Sequence, residues 1–201
     1  MSTLTDTLAE ALERLASGLR LNEGLDDSAL RAATDALHAC RDAWAERPTV
    51  PRDAAAELVD AYAGLDGIAD AYDEPVRLRI REAARTLADL SLEAVAGSPG
   101  GDEARDPDAE ALARAWQAFR AGLDGDGPGF DQDAYQRLTE ALERGAAAWE
   151  GREEIPRTGA AVLFALFPAT AQAAERREGE EREQLGDAAY ALQDLAYACV
   201  G

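Results

Sequence analysis

The chain has 201 residues, enough for one large domain or two small ones with a real core. Apolar residues make up 47%, which excludes disorder over most of the length. Forty carboxylates face twenty basic residues, all arginine, for a net charge of −20, and so acidic a chain can hardly assemble the cationic face that direct nucleic-acid binding requires.

Ala and Leu are abundant while Val, Ile and Thr are scarce, a balance that favours helix over sheet. Arginine without lysine fits a GC-rich genome, and an acidic surface fits a salt-rich cytoplasm. Self-repulsion of this size opposes compaction. About 1 M KCl, where the screening length falls to roughly 3 Å, is therefore expected to raise the melting temperature. An unchanged or lowered value would mean that the charges are already compensated locally. The acidic start MSTLTDTLAEALERL has no basic segment before an apolar run. The longest uncharged stretch, Thr158 to Ala174, is short for a membrane span and contains Pro168. Cys40 and Cys199 do not make a disulfide framework. A cytoplasmic protein with reduced thiols and no membrane contact is expected.

Taken in chain order, a first helix is predicted over about 4–19, with Leu4, Leu8, Leu12, Leu15 and Leu19 on one stripe. A second follows the capping Asp26 over about 27–46 and lines up Leu30, Ala33, Leu37, Cys40 and Trp44. A third begins at Pro51 and a fourth near Pro75. The Gly/Pro/acid segment AGSPGGDEARD then marks a boundary. Asp106-Pro107 opens a fifth helix over about 107–123, with Leu112, Trp116, Phe119 and Leu123 along its stripe. A sixth runs over about 132–151 after Asp131, a seventh begins at Pro156, and an eighth begins near Glu180.

The last four helices repeat the first four. A shift of 105 positions aligns Asp26–Ala96 with Asp131–Gly201 without a gap, with about 30% identity. Shared residues include Trp44/Trp149, Pro51/Pro156, Arg52/Arg157 and Asp89/Asp194. A shift of 104 extends the match upstream through Leu8/Leu112 and Gly18/Gly122. The predicted fold is all-α: two tandem, pseudo-symmetric four-helix units, about eight helices, packed as one helical bundle or array. The units span 1–96 and 107–201, joined by a linker at 97–106. Each is most simply an up-and-down bundle without strand. Arg52 and Arg157 sit at helix starts, a poor place for a cation. At least one of them is expected to pair with a carboxylate on another helix of its own unit, with Asp89 or Asp194 the favoured partner.

The copies disagree in the third helix. Asp53, Glu57, Asp60 and Asp66 of the first become Thr158, Val162, Ala165 and Ala171 in the second. A helix apolar all round is buried all round, so something must cover it. Val162, Ala165, Pro168, Ala169 and Gln172 are the interface candidates, with the other unit, a second copy of the chain or a protein partner as cover. Val162, Ala165 and Ala169 are expected to be buried, and their counterparts Glu57, Asp60 and Gly64 exposed. Pro168 should bend the helix and could open a pocket beside it.

No catalytic, cofactor-binding or metal residues are predicted. His38 is the single histidine, which removes most general-base and triad schemes. Asp35-x-x-His38 has the spacing of a bundle metal site, but Glu140 and Glu143 in the other copy offer no imidazole. The loop Asp124 to Asp131 superficially resembles a calcium loop, yet its twelfth position is Tyr135. Arg77, Arg81 and Arg85 share a helical face, where they are expected to neutralise carboxylates. The function expected is a non-enzymatic, highly acidic helical protein-interaction module, an adaptor or subunit with a protein partner or a second copy. The alternatives are an acidic inhibitor or immunity-type protein that mimics nucleic-acid phosphates, and a small-ligand binder with a pocket near Pro168.

Overall fold

The computed structural model describes residues 2–96, 106–123 and 130–201. Among them eight helices run in chain order: α1 (Ser2–Arg20), α2 (Asp27–Trp44), α3 (Arg52–Ala69), α4 (Glu74–Val95), α5 (Pro107–Leu123), α6 (Gln132–Trp149), α7 (Arg157–Glu175) and α8 (Gly179–Val200). Local chemistry sets several of the starts. The Asp26 carboxylate accepts from the amides of Ser28 and Ala29 at 2.7 and 3.3 Å. Asp106 does the same for Asp108 and Ala109, and Asp131 for Ala134. Each carboxylate satisfies amides that a helix start leaves unpaired.

Within each half the helices stand at the corners of a square, in the order α1-α2-α4-α3 and α5-α6-α8-α7. Consecutive helices α2 and α3 are therefore not packed neighbours, and the simple up-and-down arrangement is corrected. The chain crosses from α2 to α3 through a short strand, β1 (Thr49–Pro51), and from α6 to α7 through β2 (Glu154–Pro156). Strand was not expected at all. Its cause is local: the residue before a proline is pushed out of the helical region, and Val50 and Ile155 are β-branched.

The two strands pair antiparallel with each other, Val50 opposite Ile155 and Thr49 opposite Pro156. Residue 50 plus 105 is 155, so the pairing is its own mirror under the internal repeat. Backbone bonds flank it symmetrically, from Arg52 to the Glu153 carbonyl and from Arg157 to the Pro48 carbonyl, both 2.9 Å. A pseudo-twofold axis thus passes between the strands. Helix packing obeys it: α4 meets α7, α8 meets α3, and α3 meets α7. The eight helices share one apolar core, with Trp44, Trp149, Phe119 and Phe167 among its largest fully buried side chains.

The shared arginines belong to this junction. Arg157 reaches the other unit, donating from Nε to the Val95 carbonyl at 3.1 Å and from Nη1 to those of Trp44 and Ala45 at 3.0 and 2.8 Å. It also donates to the Ala96 carbonyl. Arg52 returns the arrangement, donating to the carbonyls of Trp149, Val200 and Gly201. The expected pairing with Asp89 or Asp194 is corrected, since both carboxylates are exposed. The reason is that each guanidinium sits at the C-terminal ends of two helices in the opposite unit. Carbonyls there lack partners and the helix dipole favours a cation.

Packing around Trp149 makes Gly159 sensitive to substitution. A Cβ on Gly159 would lie 2.5 Å from the Trp149 ring, which is fully buried. Alanine is the better helix former by roughly 1 kcal/mol. Gly159→Ala is nevertheless expected to destabilise the fold by about 1–3 kcal/mol, because a close-packed ring must shift. Urea denaturation decides between these effects, and a gain in stability would mean that the ring relocates freely.

Candidate functional site

Symmetry in the frame makes the differences between the copies informative, and they concentrate at one pair of equivalent places. In the first unit α1 and α3 enclose a small groove lined by Leu12, Glu13, Arg20, Glu57, Asp60 and Leu65 with small residues between them. Glu57 and Asp60 are exposed. Partial burial pushes the Glu57 carboxyl above its ordinary value, and the charges of Asp60, Glu13 and Asp53 add to the rise. Glu13 moves the other way, held low by a hydrogen bond from Ser17 and by the charge of Arg20.

Since the folded state holds the Glu57 proton more tightly than the unfolded chain does, its ionisation opposes folding. That opposition is absent below the ordinary carboxylate range and complete above the raised folded value. Glu57→Gln is therefore expected to raise the melting temperature at pH 7 and to lose its advantage as pH falls through the carboxylate range. Parallel melts at pH 7 and pH 4 check this, and an equal gain at both would remove the electrostatic explanation.

In the second unit the equivalent helices α5 and α7, with α4 of the first unit, form a larger and more open cleft of about 370 Å³. Trp116, Val162 and Ala165 line it, with Arg120, Arg157 and Thr158. Among the described residues no carboxylate does. Val162 and Ala165 are 4% and 8% exposed, in contrast to Glu57 and Asp60. The expected contrast fails for the third pair, because Ala169 and Gly64 are both half-buried. Pro168 is buried inside a continuous α7, and Gln172 is half-buried. Around α7 stand α3, α4, α5 and α8, so the chain itself supplies the cover for this helix. Pro168 does not line the cleft.

The remaining candidates fall elsewhere. His38 is half-buried on α2 and Asp35 is exposed. Among the described residues no group of three or more His, Cys, Asp or Glu could hold a metal ion. Burial raises the Cys40 thiol to about 11 and the Cys199 thiol to about 12, so neither is a thiolate near neutrality. Arg81 pairs with Asp66 and Asp70 at 3.2 and 2.9 Å, and Arg85 reaches Glu175 of the other unit at 2.8 Å. Arg77 is half-buried on the same helix. Residues 124–129 of the calcium-like loop and 97–105 of the linker lie outside the described residues.

Sequence reasoning missed the cleft and the role of Arg157 in its wall. A signal was available: a proline–arginine pair kept in both copies while the residue after it changes from Asp53 to Thr158. No helix of the described residues is long and apolar enough to cross a membrane. Compared with protein-family models, curated proteins and solved structures, the chain matches none.

Proposed function

We propose that the chain is a non-enzymatic, acidic helical interaction module, an adaptor or subunit, whose α1/α3 face receives a cationic protein surface. The observation that carries this reading is the cluster Glu13, Glu57 and Asp60, in which Glu57 is held at a raised pKa partly by its like-charged neighbours. A cationic side chain docking there would relieve the repulsion at Glu57 that Arg20, paired with Glu13, leaves in place, and charge complementarity of this kind speeds encounter and fixes orientation. Other conspicuous polar groups are already engaged. Arg52 and Arg157 bind helix-end carbonyls, Arg81 and Arg85 bind carboxylates, and Cys199 donates to the Leu142 carbonyl. The same cluster supports the phosphate-mimic reading, in which the partner's surface is a nucleic-acid-binding site.

Affinity capture from the native host, repeated with the triple variant Glu13→Gln, Glu57→Gln, Asp60→Asn, tests the proposal. A basic partner is expected on the parent chain, released by salt and absent from the variant. Retention by the variant would overturn the assignment of this face. A partner that loses nucleic-acid binding when captured would select the mimic over the adaptor.

A further inference from the structure

The cleft between α4, α5 and α7 has a different chemistry from the rest of the molecule. At about 370 Å³ it falls within the usual range of small-molecule sites, about 300–1,000 Å³. Trp116, Val162 and Ala165 give it apolar walls, and among the described residues no carboxylate lines it. Its charged lining residues among those described are Arg120 and Arg157.

Arg157 is 3% exposed, and its guanidinium hydrogen bonds among the described residues all go to main-chain carbonyls. Among the described residues its positive charge is thus buried without a hydrogen-bonded carboxylate to offset it. In the first copy the corresponding Arg52 is followed by Asp53, an acid in the first turn of α3. The position is Thr158 in α7, whose first turn holds no acid, while neither α3 nor α7 has a side-chain cap at its start. The second copy therefore sets a buried guanidinium and the positive end of a 19-residue helix in the wall of an open, partly apolar cleft. It omits the carboxylate that the first copy carries.

We propose that this cleft binds an amphipathic monocarboxylate, an acyl chain ending in a free carboxylate. The chain lies against Trp116, Val162 and Ala165. The carboxylate takes its place at the first turn of α7, beside Thr158, where the first copy holds Asp53. Charge complementarity and the size of the cavity both select this class of ligand over a cation or a larger peptide.

Titration of the full chain with sodium decanoate, below its micelle-forming concentration, tests the proposal by tryptophan fluorescence and calorimetry. Saturable binding of one decanoate per chain is expected, with Trp116 as the reporter, and decanol should bind at least about tenfold more weakly. Thr158→Asp restores the first copy's acid on an exposed position and should weaken decanoate at least about tenfold without lowering the melting temperature. Decanol binding should be unchanged in that variant. Ala161→Trp, which fills the cleft, should abolish binding of both. Absence of saturable decanoate binding, equal affinity for decanol, or an unaltered affinity in Thr158→Asp would each overturn the assignment.

Discussion

Replacing Arg157 by methionine is expected to lower the stability of the chain by about 3–5 kcal/mol, among the largest effects of any single polar substitution in it. The side chain is 3% exposed and supplies donors to the carbonyls of Trp44, Ala45, Val95 and Ala96. Methionine matches the length of the stem but donates nothing. Carbonyls at the ends of α2 and α4 would then lose their partner, at about 1–3 kcal/mol for each that stays dry. Arg157→Lys keeps the charge but not the planar fork that spans two helix ends, so an intermediate loss is expected. Arg52→Met should cost less than Arg157→Met, because Arg52 is half-buried and water can reach part of its site. Guanidinium chloride unfolding of the three variants gives the order directly. Equal losses at Arg52 and Arg157 would show that burial does not govern the effect.

The second large effect is expected at the contact between the units. Phe167 is 2% exposed and packs its ring 5.7 Å from Tyr62 of α3 and 5.2 Å from Tyr190 of α8. Phe167→Ala removes that ring from a layer shared by α3, α7 and α8, and a loss of about 3–5 kcal/mol is expected. The form of the transition is as informative as its midpoint. Since α3, α4, α7 and α8 bury their inner faces against one another across the axis, neither half can unfold without exposing the other's core. One cooperative transition should therefore persist in the variant, read by calorimetry. Two separated transitions would mean that each unit holds its own fold and that the junction is weak.

These expectations depend on features of unequal legibility. The caps at Asp26, Asp106 and Asp131 were readable because an acid before an apolar-periodic segment acts on amides only two or three residues away. The burial contrast of Val162 and Ala165 with Glu57 and Asp60 was readable because the chain holds its own comparison. The partners of Arg157 were not. A dipole argument confined to its own helix start pointed to a neighbouring carboxylate, whereas the guanidinium serves helix ends 62 and 113 positions away. The cleft was also out of reach, since its walls come from three helices in two units and a cavity has no periodicity of its own.

By itself, the sequence determined the helical class, the number of helices, most of their starts and the internal duplication. All of these rest on interactions within a turn or two, or on identity at a fixed offset. Only the tertiary structure decided the diagonal course from α2 to α3, the strand pair on the pseudo-twofold axis, the exchange of arginines and the covering of α7. The physical reason is common to all four. Each depends on groups brought together by packing rather than by the chain, and a repeat in sequence does not say how its two copies face one another.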